Sequence, residues 1–203
     1  MNIAKKIVPF VLILICFSFQ LSAQEAPGKL NKTGFYLGIY TGTWFGTGQN
    51  SILSNPIMGG LLLELKSGKG ALAVNFDFFG NPVKTKPIYL KTNDKIIEKT
   101  NYLGVQISLQ YSHELYQRNK FALEAVGGFG YGDIGFKVPE TEDYVSKSSL
   151  FVDPGIGARY FIGQNTYLQF KLQYNLANYK FKDNETTNIG GNFVTTKLIF
   201  GWR

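Results

Sequence analysis

The feature that most limits what this chain can fold into is a two-residue alternation of apolar and polar side chains that recurs along it. Leu168, Phe170, Leu172, Tyr174 and Leu176 alternate with Gln169, Lys171, Gln173 and Asn175. Leu103, Val105, Ile107, Leu109 and Tyr111 alternate with Gly104, Gln106, Ser108, Gln110 and Ser112. Val194, Thr196, Leu198, Phe200 and Trp202 repeat the pattern. So do Leu61, Leu63 and Leu65 against Glu64 and Lys66, and Leu72, Val74, Phe76 and Phe78 against Asn75 and Asp77. Period two is the strand signature, and no long 3.6-residue period competes with it. Less regular segments at 33–46, 121–136 and 150–162 bring the expected number of strands to eight.

The connections add a second constraint. Those at 67–70, 113–120 and 163–165 are short, and those at 47–55, 81–99, 137–149 and 182–190 are longer. Short and long alternate strictly, so in a meander one end carries turns and the other carries loops. That asymmetry belongs to outer-membrane barrels. The expected fold is all-β, an eight-stranded antiparallel up-and-down transmembrane β-barrel spanning residues 33–203. A secreted lipocalin-like barrel holding an apolar ligand is the alternative, and it would turn its apolar face inward. The polar face here includes Gly38, Gly42, Gly104, Gly128, Gly130, Gly132, Gly155 and Gly157, small residues suited to a narrow interior. Aromatics gather toward both ends, as membrane-interface girdles do. Tyr111, Tyr116, Phe121, Tyr160, Tyr167 and Trp202 lie toward the short turns; Trp44, Phe78, Phe79, Tyr102, Tyr131, Phe151, Tyr179 and Phe193 lie toward the long loops.

Composition excludes several classes. Aromatics at 15% and charged residues at 17% are the reverse of a disordered chain. Cys16 and His113 are the sole Cys and His, which leaves no intrachain disulfide and no Cys/His zinc site. Residues 1–23 read as a secretory signal peptide: Lys5 and Lys6, an apolar run, then Leu21-Ser22-Ala23. Residues 24–32 form a short segment before the barrel. Cleavage after Ala23 leaves 19 Lys and Arg against 14 Asp and Glu, too small a basic excess on an exported chain for a nucleic-acid partner.

With the signal ending Ser22-Ala23-Gln24, eight strands, and a last strand carrying Leu198, Phe200 and Trp202, the chain resembles the PorT-like and OmpA-type outer-membrane barrel families. The resemblance implies residence in the outer membrane, recognition of the last strand by barrel-insertion machinery, and for PorT-like proteins a part in protein export. Arg203 after the terminal Trp202 departs from the usual aromatic ending.

Few residues offer chemistry. Gly130-Tyr131-Gly132-Asp133-Ile134-Gly135 matches a dinucleotide fingerprint, but no strand-then-helix context surrounds it, so no cofactor is expected. Asn184-Glu185-Thr186 is a sequon read as loop composition. His113 has no placed partner for catalysis, and no enzyme is expected. Lys84, Lys86, Lys91, Lys95 and Lys99 make one loop basic, a candidate contact for lipopolysaccharide phosphates, and the long loops in general could hold a protein partner. Alternation places Glu64, Lys66, Asp77, Glu124, Asp153, Arg159, Lys171 and Lys197 inside the barrel. A narrow lumen should pair them, Glu124 with Arg159 or Lys171, and so block a water path.

Overall fold

The computed structural model describes residues 33–47, 53–81, 87–92, 95–137, 144–179 and 192–203. Residues 1–32, Lys84, Lys86 and the sequon at 184–186 lie outside the described residues. In chain order the strands are β1 (Gly34–Gly46), β2 (Ile57–Ser67), β3 (Gly70–Gly80), β4 (Ile88–Thr92), β5 (Lys95–Lys99), β6 (Leu103–Arg118), β7 (Phe121–Lys137), β8 (Tyr144–Val152), β9 (Gly155–Phe161), β10 (Thr166–Ala177) and β11 (Phe193–Trp202). β1, β2, β3, β6 and β7 pair in sequence, β7 pairs with both β8 and β9, both pair with β10, and β11 closes the ring between β10 and β1. β8 and β9 are one barrel strand. Pro154 lacks the N–H that the ladder needs, yet its carbonyl still accepts from Tyr174 N at 2.8 Å. The barrel therefore has eight strands, all antiparallel.

Three boundaries differ from those expected. The stretch 113–120 is not a turn: β6 runs to Arg118 and leaves Asn119 and Lys120 as the connection, with Asn119 at a left-handed φ of 52°. A β-bulge is the reason. Glu114 pairs with Glu124 but Tyr116 pairs with Leu123, so Leu115 is an extra residue that breaks the alternation. The long connection 137–149 is shortened because β8 begins at Tyr144. The connection 81–99 contains a hairpin, β4 against β5, whose Ile88 and Leu90 are fully buried.

Closure fixes the dimensions. Starting at Trp202, the partners Leu37, Leu63, Val74, Leu109, Phe129, Val152 and Leu176 lead round the ring. The return falls on β11 at position 192, one step beyond the Asn175–Phe193 pair and ten residues from the start. Eight strands with that stagger tilt by about 40° and enclose a backbone cylinder of about 8 Å radius. Side chains fill such a cylinder.

The outward face is apolar on every strand: Leu37, Leu63, Phe78, Val105, Phe129, Leu150, Ile156, Leu172 and Leu198 are 38–77% exposed. The inward face carries the buried charges. A soluble ligand-binding barrel has the opposite arrangement, so the membrane form is the one adopted. The aromatic girdles need correction. Tyr111, Tyr116, Phe121 and Tyr160 face outward at the short-turn end, but Tyr167 is fully buried. At the other end Phe78 and Tyr131 face outward, whereas Trp44, Phe79, Tyr102, Phe151, Tyr179 and Phe193 are interior, each at most 4% exposed. Parity decides this: Phe78 and Phe79 are neighbours in one strand, so they must point to opposite faces.

Placing a charge at mid-height on the outer face tests the orientation. Leu172→Arg should destabilise the folded barrel by about 2–4 kcal/mol in urea unfolding from lipid vesicles, while Tyr116→Arg at the rim should cost less than about 1 kcal/mol. Equal small costs at both positions would contradict a lipid-facing outer surface.

Candidate functional site

The lumen holds the only concentration of charged groups buried among the described residues. Glu64, Lys66, Asp77, Glu114, Glu124, Asp153, Arg159, Lys171 and Lys197 are all 0–4% exposed. Period-two alternation puts them there, because each shares parity with the polar face of its strand. Their arrangement is layered.

Nearest the short turns, Lys66 Nζ and Glu114 Oε1 pair at 2.9 Å, beside an aromatic floor of Tyr36, Phe161 and Tyr167. Above it Arg159 on β9 reaches across the lumen to β2. Its Nη1 and Nη2 donate to the two carboxylate oxygens of Glu64 at 2.5 and 2.8 Å. Its Nε lies 2.9 Å from Glu124 Oε1, and its guanidinium carbon sits 4.2 Å from the Tyr167 ring centroid. Gln169 Nε2 also donates to Glu124. Only Arg could fill this place, since its planar fork serves two carboxylates at once where a Lys offers a point charge.

Lys171 is not part of that cluster. It donates to Gln110 Oε1 at 3.0 Å, and Gln110 Nε2 in turn donates to Asp153 Oδ2 at 2.5 Å. Gln173 Nε2 donates to the same Asp153 oxygen at 3.0 Å. Lys197 pairs with Asp77 at 2.6 Å, and the Tyr40 hydroxyl donates to Asp77 at 2.8 Å. The expected residues thus fall into four groups, each completed by its own glutamine, tyrosine or Glu114 partner, instead of one continuous ion chain. Glu114 stands outside the expected set. Carrying the parity of Gln110 and Ser112 two residues onward would have found it.

The long-loop mouth is closed by different chemistry. Trp44 packs edge-on against Phe193 (3.9 Å between centroids) and Phe79 (5.1 Å), Phe79 against Tyr102 (6.4 Å), and Tyr102 against Phe136 (6.1 Å). Ile88 and Leu90 from the β4–β5 hairpin join this cluster. Glycines admit the bulk. A Cβ on Gly104 would collide with the Phe79 ring, and one on Gly130 would meet Phe151 and the Ile107 carbonyl. That is what the Gly-rich stretch of β7 does. Gly130, Gly132 and Gly135 belong to a strand and hold no nucleotide loop.

The basic loop is divided by the hairpin. Lys99 pairs with Ile88 and shares its face, Lys91 lies on the opposite face with Glu98, and Lys95 pairs with Thr92. His113 is exposed on the outward side of β6, its Nδ1 3.2 Å from the Tyr111 hydroxyl, while Glu114 beside it points into the lumen.

No family model matches the chain, and no curated protein matches it in sequence. Solved structures do. Neisserial surface protein A superposes with a TM-score of 0.55 at 11% identity, over 82% of this chain and 94% of that one. A major outer membrane protein from Thermus thermophilus gives 0.50 at 12% identity, over 83% and 98%. At such identities the likeness is one of fold, and the fold is that of the small outer-membrane β-barrels.

Removing the cation that two buried carboxylates share leaves both uncompensated. Arg159→Leu should cost about 3–5 kcal/mol of stability in detergent or lipid unfolding. Glu124→Ala should cost less than Glu64→Ala, because Glu64 takes the bidentate pair. An Arg159→Leu barrel as stable as the parent would mean that the lumen is wet enough to hydrate each charge separately.

Proposed function

We propose that this chain is an exported outer-membrane barrel with a structural, surface-interaction or assembly role, and that it is not a pore for large solutes. The observation that carries this is the doubly closed lumen. Arg159 bridges opposite walls to Glu64, and above it the ring stack from Trp44 to Phe136 fills the mouth. A barrel with its interior committed to such contacts presents its long loops and outer wall to partners. Signal-peptide removal after Ala23, a barrel domain from residue 33 and recognition of the last strand by insertion machinery are parts of the same proposal. Catalysis is not: His113 and Glu114 lie on opposite faces of β6. The lipocalin-like alternative needs an apolar interior, and the buried charges argue against it.

The long-loop lysines are proposed as a contact for lipopolysaccharide phosphates, with Lys91 and Lys99 offering charge on two faces of the hairpin.

Three measurements test these proposals. The protein should fractionate with outer membranes, require detergent, and migrate faster unheated than boiled; solubility without detergent would end the proposal. Planar bilayers holding the purified protein should show no large steady conductance, and porin-like steps would contradict closure. Neutralising Lys84, Lys86, Lys91, Lys95 and Lys99 together should weaken lipopolysaccharide binding, and unchanged binding would remove the loop from consideration.

A further inference from the structure

Charge is distributed unevenly between the two ends of the barrel. Lys69, Arg118, Lys120 and Arg203 stand exposed at the short-turn rim. No exposed acidic side chain accompanies them among the described residues. Glu64, Asp77, Glu114, Glu124 and Asp153 are buried in the lumen, and Glu98 and Asp133 lie toward the long loops. Arg203 is held in place by donating to the Thr33 carbonyl at 2.7 Å and to Asn165 Oδ1 at 3.0 Å. Arg118 faces outward, as its register with Phe121 requires.

Two of these rim cations share a recess with aromatic rings. Tyr116, Arg118, Asn119, Lys120, Phe121 and Tyr160 line a shallow recess, open to the outside, at the β6–β7 turn. Arg118, Phe121 and Tyr160 are successive register partners across β6, β7 and β9, so they stand side by side on the outer wall. Lys120 Nζ donates to the Ile162 carbonyl at 3.2 Å, which positions the ammonium over the neighbouring turn. The bulge at Leu115 creates this arrangement. From Glu114, which points inward, simple alternation would send Tyr116 and Arg118 inward too. The extra residue reverses their parity and pairs them with the outward Leu123 and Phe121.

An aromatic and cationic recess at the edge of an apolar wall matches one chemistry closely. The rings suit the glycerol and upper acyl region of a lipid, as interfacial Tyr does generally. The cations suit a phosphate. The apolar wall continues from the recess through Leu115, 67% exposed, and Leu123, 42% exposed, where acyl chains would lie. A soluble phosphate would use the cations and leave the rings and the wall without purpose. We propose that this recess binds the head group of an anionic phospholipid in the leaflet on the short-turn side. The proposal rests on the membrane-barrel reading above, and adds to it a lipid class and a place.

The test is lipid retention. The full barrel, purified in mild detergent, is offered equal amounts of phosphatidylglycerol and phosphatidylcholine, and the lipids that remain bound are counted by native mass spectrometry. The parent should prefer phosphatidylglycerol about 25-fold, about fivefold for each of the two cations. Arg118→Gln with Lys120→Gln should lose most of that preference, about fivefold for each cation removed. Lys137→Gln, at the other end, should leave it intact. Equal retention of the two lipids by the parent, an undiminished preference in the rim variant, or a loss in the long-loop variant would each overturn the site. Gel migration of unheated samples keeps the two levels apart. A heat-shifted barrel without lipid preference refutes this site alone, and a protein with no heat shift refutes the membrane barrel itself.

Discussion

Hydrocarbon offers no hydrogen-bond partner to a peptide, so each N–H and C=O of a membrane-spanning strand must be satisfied within the chain. The ring does this by closing β11 on β1 through ten residue pairs, from Leu37 with Trp202 to Gly46 with Phe193. Closure with a stagger of ten residues then dictates tilt and radius, and the radius dictates how little the lumen can hold. Pro154 marks how strict the requirement is. It occurs within a strand that is otherwise continuous in register, and the groups on either side of it still find β7 and β10.

Within that narrow space the charges were bound to meet. The nine charged groups buried in the lumen among the described residues cannot each keep a hydration shell, so they pair, or share an amide. Arg159 does the most, joining β2, β7 and β9 and stacking on Tyr167. Replacing such networks with apolar side chains can leave stability unchanged or raise it. Their presence is thus better understood through placement: they tie opposite walls of the cylinder together at a set height. The mouth achieves closure by ring packing, where aromatic edges meet faces and no charge has to be desolvated.

Much of this was legible in the alternation. Period two over five regular segments, with short and long connections in strict turn, leads to the strand number, the antiparallel order and the set of inward charges. It fails where the chain departs from period two. The bulge at Leu115 makes 113–120 resemble a turn and so conceals Glu114. The aromatic girdle at the long-loop end fails for another reason. Nearness to a strand end does not set the direction of a ring, and the parity of Trp44, Phe79 and Phe193 already pointed inward. The β4–β5 hairpin was hidden because its short strands sit in a segment rich in Lys and Pro.

The sequence by itself determined the two faces of the sheet, because side-chain direction in a strand follows from counting residues. It also determined which end carries turns, since connection length is read directly. Only the tertiary structure decided which charges share a partner. Glu64 and Arg159 are 95 residues apart in the chain and meet because the ring places β2 opposite β9. Alternation says that a side chain faces the lumen, but its height and its neighbours across the cylinder depend on the stagger of the closed barrel. That stagger is the sum of every strand's register and is fixed only when the last strand meets the first.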